Sequence, residues 1–228
     1  MYRVIENKFL TDDMYLLKVE GNFKGEMGQF YMLRAWENYP LLSRPISICD
    51  IDEKSITFLY KVFGQGTELI AKLKENDTIK LEGPYGNGFK KVEGKVALVG
   101  GGIGVAPLYL VAKNIKNCDA YLGFRNEAVL VEEFKEVCDE VIVATNNKFV
   151  TENLDVTKYD YILTCGPTPM MKHVVDMADG TDTKIMVSLE NHMACGVGAC
   201  LVCTCKTVDG NKKTCKDGPV FWGDEVVF

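Results

Sequence analysis

The first 92 residues carry short apolar-rich runs with turn residues between them: "MYLLKV" (14–19), "GQFYMLRA" (28–35), "RPISIC" (44–49), "SITFLYKVF" (55–63) and "DTIKLEG" (77–83). Runs so closely spaced leave little room for helices and predict an antiparallel barrel or sandwich. One short helix is expected at "GTELIAKLK", after Gly66. From Lys95 the rhythm changes. "VALVG" (96–100) precedes "VAPLYLVAKNI", "AYLGF" (120–124) precedes "AVLVEEFKEV", and "EVIVAT" (140–145) leads to "DYILTCG" (160–166) and "PTPMMKHVVDMA". Apolar strands alternating with helices predict a doubly wound parallel sheet covered on both faces. "KIMVSLE" (184–190) is the last such strand, and the remainder is rich in Cys and Gly. The expected division is therefore 1–92, 93–187 and 188–228.

A chain of 228 residues, 47% hydrophobic and 25% charged, has the composition of an ordinary globular protein with room for two compact units and an appendage. The net charge of -6 and the lack of a basic stripe argue against nucleic acid as the main partner. No basic leader and no window of about 18 uncharged apolar residues is present, so the expected location is the cytoplasm. Thiols are kept reduced there. Nine cysteines, an odd number, then point to a metal or redox site rather than a disulfide framework.

Four of the nine fall in "MACGVGACLVCTC" (193–205). Cys195, Cys200 and Cys203 are spaced C-x4-C-x2-C, and Cys215 follows after eleven residues, the plant-type arrangement in which four thiolates hold a 2Fe-2S cluster. Gly196 and Gly198 suit a loop that brings main-chain N–H groups close to sulfur. A structural zinc site would use two C-x2-C knuckles, and only one exists. Cys205 is an alternative to Cys203, although the x2 spacing favours Cys203. Cys49, Cys118 and Cys138 fall in expected strands or helices and read as core.

In "VALVGGGIGVAP", Gly100, Gly101, Gly102 and Gly104 end a strand and open a helix, which offers bare N–H groups and a positive helix end to a pyrophosphate. Val105 stands where the G-x-G-x-x-G fingerprint needs glycine, so a tight strand-to-helix turn is the plainer reading. "TCGPTPM" repeats the device at Cys165, Gly166 and Pro167. In the strand-rich part, Arg44 and Ser47 of "RPISI", with Gly64, Gly66 and Thr67 of "YKVFGQGT", suit a phosphate-bearing ligand, though each alone is an ordinary turn. A nicotinamide exchanges a hydride and a 2Fe-2S cluster a single electron. A chain with both sites therefore needs a flavin between them, and the barrel is the part left to hold it. His173 and His192 read as structural or surface residues, and no Ser-His-Asp set or carboxylate pair is evident.

These residues resemble the ferredoxin-reductase-type flavoproteins, in which a flavin-binding antiparallel barrel carries R-x-(Y/P/F)-(S/T) and G-x-G-T, and a nicotinamide domain carries G-G-G-x-G-x-x-P and C-G-P. The matching segments are "RPIS" (44–47), "GQGT" (64–67), "GPYGNGF" (83–89), "GGGIGVAP" (100–107) and "CGP" (165–167). With the cluster segment last, in "SLENHMACGVGACLVCTC" and "CKDGPVF", the chain is similar to the electron-transfer subunits of the two-protein, NAD-dependent dihydroorotate dehydrogenases of pyrimidine synthesis. The resemblance implies that Arg44, Pro45, Ile46 and Ser47 contact the flavin and its phosphates, that Leu59, Tyr60 and Lys61 line FAD, and that Gly66 and Thr67 bind its pyrophosphate. It further implies that Cys195, Cys200, Cys203 and Cys215 hold the cluster, that Gly101, Gly102 and Gly104 approach NAD as co-substrate, and that Cys165 is a catalytic-site residue beside the nicotinamide. Arg125 would meet the extra phosphate of NADP, but the family prefers NAD. The implied partner is an FMN-containing dihydroorotate dehydrogenase catalytic subunit, in a heterotetramer of two of each. Within the same fold the rivals are small subunits of a ferredoxin:NAD(P) transhydrogenase, a sulfide dehydrogenase or a hydrogenase. From another class the rival is a zinc-ribbon interaction module without redox role.

Overall fold

The computed structural model describes residues 1–11, 13–146 and 148–228. The N-terminal part holds β1 (Tyr2–Thr11), β2 (Met14–Glu20), β3 (Phe30–Arg34), β4 (Arg44–Ser47), β5 (Asp50–Ile51), β6 (Ser55–Lys61), α1 (Gln65–Ala71) and β7 (Thr78–Tyr85). The strands form one antiparallel sheet in the order β4-β3-β7-β1-β2-β6-β5. In β7, Ile79 and Leu81 face inward while Thr78, Lys80 and Glu82 face water, the alternation of a strand with one wet face. Leu17, Leu33, Ile56, Phe58 and Ile79 fill the interior. The sheet curls until β4 lies beside β6 without pairing with it, which leaves a seam between the two ends of the barrel.

β1 is the strand the apolar pattern does not announce. Of its ten residues only Val4 and Thr11 are buried, and it is held by its ladders to β2 and β7. A strand exposed along most of its length leaves little hydrophobic trace.

The second sheet is built from β8 (Val96–Gly101), α2 (Val105–Asn114), β9 (Cys118–Gly123), α3 (Val131–Lys135), β10 (Glu140–Ala144), β11 (Tyr161–Cys165), α4 (Thr168–Met177) and β12 (Lys184–Ser188). The chain runs from β8 outward to β9 and β10, then crosses to β11 and β12, so the direction of winding reverses between β8 and β11. That is where open α/β sheets bind ligands. The helix expected over "AVLVEEFKEV" shrinks to the five residues of α3, because Leu130 adopts a left-handed φ of 60° at its start. α2 presses Val105, Leu108 and Val111 into the same core as Ile48 and Cys49 of the barrel, and Lys113 Nζ reaches Asp50 Oδ1 at 2.6 Å.

The C-terminal part contains β13 (Thr204–Thr207), β14 (Gly210–Lys213) and β15 (Val220–Trp222). These strands lie in the segment expected as the third, smaller unit, 188–228. β15 pairs antiparallel with β12 through Met186↔Trp222, Val187↔Phe221 and Ser188↔Val220, becoming the sixth strand of the nucleotide sheet. It covers an edge of β12 that would otherwise present unpaired main-chain groups.

The shared core sets the first expectation. Leu108→Ala, at a wholly buried position, should lower unfolding free energy by about 2–5 kcal/mol in a denaturant titration. Lys113→Ala, which removes the partly exposed ion pair to Asp50, should cost no more than about 1 kcal/mol.

Candidate functional site

The seam of the barrel carries the first group of expected residues. β4 is an edge strand whose four residues are all half-buried. Its Arg44 reaches α1, and the guanidinium occupies the space that a Cβ at position 66 would need, so only glycine fits there. The same guanidinium lies 5.4 Å over the ring of Trp36, which Arg34 shares at 5.5 Å, and it donates to the Leu42 carbonyl. Burial, and then the charge of Arg34, hold its pKa below the ordinary value. A desolvated guanidinium fixed in this way is a prepared anion site.

Thr67 contributes differently from what the motif implies. Its hydroxyl accepts from the N–H groups of Phe63 (2.9 Å) and Gly64 (3.2 Å) and donates to the Gly64 carbonyl (2.9 Å), so it locks the turn. What remains for a phosphate is the set of N–H groups at the start of α1. On β6, Leu59 and Tyr60 are each 1% exposed, and the Tyr60 hydroxyl donates to Asn7 Oδ1 at 3.0 Å. Only Lys61 of that trio is exposed. β5 covers β6 at Ile56 and Thr57 alone, so the main-chain edge of Leu59 to Lys61 is what that strand can offer a ligand.

At the switch point a cleft of about 980 Å³ opens over the strand ends, lined by Gly101, Gly102 and Gly166 together with Arg125, Lys148, His173 and Glu190. Gly166 has a φ of 145°, and a Cβ on it would stand 2.9 Å from N and O of Gly101. Gly104 packs equally close to the main chain of Cys165, whereas Gly102, at φ 56°, faces open space. Main chain is thus bared to the cleft, which suits the close approach of a dinucleotide. Cys165 is 1% exposed, and its thiol donates to Glu190 Oε1 at 3.7 Å. Burial pushes the Cys165 thiol well up and raises the Glu190 carboxyl too. Glu190, not Cys165, lines the cleft. Sequence reasoning passed over Glu190, whose only signal is an acidic residue immediately beyond an apolar strand. His173, expected to be structural or at the surface, also lines the cleft.

The four expected cluster cysteines come together as two pairs. The N–H and thiol of Cys200 both reach Cys195, and the Cys203 thiol meets Cys215. Main-chain donors surround the sulfurs: Val197 (3.4 Å) and Ala199 (3.3 Å) to Cys195, Gly198 (3.1 Å) to Cys215, and Cys215 N–H (3.4 Å) to Cys203. The Val197 and Cys200 N–H groups draw Cys195 down to about 6, while burial and then the Cys203 thiol push Cys215 up to about 12. Among the described residues no three or more His, Cys, Asp or Glu side chains converge on one ion. Two thiol pairs ringed by N–H donors fit a two-iron core, one pair to each iron. Cys205 lies apart. Its side chain belongs to the core around Phe221, and its sulfur approaches the Lys212 carbonyl at 3.5 Å.

β3 joins cluster and barrel. Phe30 and Met32 pack against Cys203 and Cys215, and the same two residues pair with Ser47 and Pro45 of β4.

A family model described as the iron-sulfur cluster binding domain of dihydroorotate dehydrogenase B matches residues 190–227. The dihydroorotate dehydrogenase B (NAD(+)) electron transfer subunit of Clostridium acetobutylicum is 48% identical over 236 residues, spanning 99% of this chain and 96% of that protein. The chain belongs to this family of electron transfer subunits. The subunit of the same name from Clostridium perfringens is 46% identical, spanning 99% of this chain and 97% of that one. Among solved structures, a chain of an NADH-dependent reduced ferredoxin-NADP oxidoreductase, described in connection with flavin-based electron bifurcation, superimposes with a TM-score of 0.89. It is 29% identical, covering 100% of this chain and 90% of that one. The flavohem-like FAD/NAD binding domain of a Vibrio cholerae nitric oxide dioxygenase, at TM-score 0.67 and 15% identity over 82% of this chain and 98% of that one, shares the fold. The family expected from the motifs is thus the family found. The transhydrogenase-type rival has the more distant likeness.

Two substitutions check the site. Cys200→Ser should lose most iron and acid-labile sulfide, whereas Cys205→Ser should retain both, as measured by metal and sulfide analysis of purified protein. Gly66→Ala, which drives a methyl group into the Arg44 guanidinium, should weaken FAD retention by roughly tenfold or more in a flavin-fluorescence titration.

Proposed function

We propose that this chain carries electrons between a partner dihydroorotate dehydrogenase and NAD+, through a 2Fe-2S cluster and FAD. The observation that carries this reading is the position of β3. It touches Cys203 and Cys215 through Phe30 and Met32 and is hydrogen-bonded to β4, the strand of Arg44, Pro45, Ile46 and Ser47.

Bound FAD would supply the exchange between a hydride and single electrons that neither of the other two centres performs alone. The chain's own residues then have separable tasks. Arg44 and the first N–H groups of α1 hold the FAD phosphates, and Gly66 makes room for the guanidinium that does so. Gly101, Gly102 and Gly166 bare their main chain for NAD, with Arg125 and Lys148 at the cleft wall. Cys165 is held as a neutral thiol behind Glu190. Cys195, Cys200, Cys203 and Cys215 hold the cluster, and their N–H donors set its electrostatic surroundings. Dihydroorotate oxidation belongs to the partner's own FMN, in an assembly of two of each subunit. Among the described residues no helix is long and apolar enough to cross a membrane, and the cytoplasm is the proposed location.

The test uses the purified chain with its cofactors. NADH should bleach both flavin and cluster absorbance, and no orotate should form from dihydroorotate until the catalytic subunit is added. A colourless, zinc-containing protein, or orotate formed by this chain alone, would sink the reading.

A further inference from the structure

The segment "GPYGNGF" (83–89) has no task in the scheme above, yet its Asn87 is hydrogen-bonded to the cluster segment at several points. Asn87 Nδ2 donates to the carbonyls of Lys216 and Asp217, both at 3.1 Å. Its main-chain N–H donates to the Gly218 carbonyl at 2.5 Å, and its carbonyl accepts from Val220 N–H at 3.3 Å. Four hydrogen bonds from one residue thus enter the stretch that follows Cys215 directly. We infer that Asn87 is a positioning residue, clamping the loop that carries Cys215 to the barrel and so setting the gap that electrons cross between the cluster site and the flavin site.

Both ends of the clamp are rigid. On the barrel side, Gln29 Nε2 donates to the Gly86 carbonyl at 2.8 Å and Phe89 N–H to the Met27 carbonyl at 2.7 Å. Asn87 is thereby tied to the residues leading into β3, whose Phe30 and Met32 touch Cys203 and Cys215. Gly86, at φ 82°, lets the two loops meet closely, since a Cβ there would lie 2.6 Å from Pro219 Cδ. On the cluster side, Lys213 N–H donates to Asp217 Oδ2 at 2.7 Å, and the Lys213 carbonyl accepts from the N–H groups of Lys216 and Asp217. These bonds tie residues 213 to 217 to one another, so what holds residues 216 and 217 also restrains Cys215 between them. The single amide nitrogen of Asn87 thus supplies one donor to each of two carbonyls.

The inference rests on the cofactor reading above, and its test separates the two. Wild-type protein, Asn87→Ala and Asn87→Asp are purified as full chains with FAD and cluster. Wild type without flavin, iron and sulfide would refute the cofactor reading and, with no gap left to set, the clamp's role as well. Two hydrogen bonds of ordinary strength favour the docked loop by roughly thirtyfold. Amide exchange at Val220 should accelerate by about that factor in Asn87→Ala, and at least as much in Asn87→Asp, which sets a carboxylate against two carbonyls. Flavin reduction by NADH should keep its wild-type rate, while the ensuing reduction of the cluster, followed at its own absorbance, should slow by on the order of tenfold. Unchanged exchange or unchanged cluster reduction overturns the inference. So does loss of iron in both variants, which would make Asn87 a support of the cluster's binding rather than of its distance from the flavin.

Discussion

The pairing of β3 with β4 on one side and β7 on the other is the constraint on which the remaining arrangement depends. Hydrogen-bonded strands stand about 4.8 Å apart whatever their side chains, so a strand is a spacer of fixed width. Here that spacer has the half-buried edge strand of Arg44 to Ser47 along one margin and Cys203 and Cys215 packed on its Phe30 and Met32. Residues nearly 160 positions apart in the chain are thus brought to the two sides of one strand. One half of that separation is set by the main-chain ladder between β3 and β4 and the other by the packing of Phe30 and Met32 against the cysteines.

The nucleotide cleft depends on a second close approach, between Gly101 and Gly166 at the point where the sheet reverses its winding. Two strand ends can bare their main chain to the same ligand only if nothing larger than hydrogen separates them. Behind that surface the Cys165 thiol and the Glu190 carboxyl share a poorly hydrated space, and burial disfavours the charged form of each. The neutral thiol donates to Glu190 Oε1 and adds no charge of its own to the wall of the cleft. The barrel and this sheet share one core through α2, so the seam and the cleft keep their relation to each other.

What could be read from the sequence follows from how local each signal is. The four cysteines could be singled out because their spacing lies along a single loop and one return, and the structure brings them together as two pairs. The strands β8, β9 and β11 were legible because both of their faces are buried, which leaves them mostly apolar, with Asp119 and Thr164 as buried exceptions. β1 was not, since only Val4 and Thr11 of its ten residues are buried and its neighbours hold it. Thr67 was assigned to phosphate by its motif, while its hydroxyl is spent within the turn. Tyr60 is likewise committed, through Asn7, to the barrel interior. A motif identifies which residue types recur at a site but not which of their atoms remain free. Glu190 shows the converse, since its significance comes from the cleft and from Cys165, both set by tertiary structure.

The course of the last residues explains why the cluster segment needs no large core of its own. Its two-stranded sheet of β13 and β14 is too small to be stable alone. β15 therefore returns to β12 and joins the nucleotide sheet, Asn87 grips residues 216 to 218 from the barrel, and Phe30, Met32 and Tyr85 supply the apolar seat beneath the cysteines. Two of these attachments are on the barrel and one is on the second sheet, so the cluster segment is held from both. Without β15 in the sheet, the stretch from Cys215 onward would keep its barrel contacts through Asn87 and through Phe30 and Met32 but lose its tie to the second sheet. The strand added at the far edge of the nucleotide sheet thus helps to fix a distance inside the barrel.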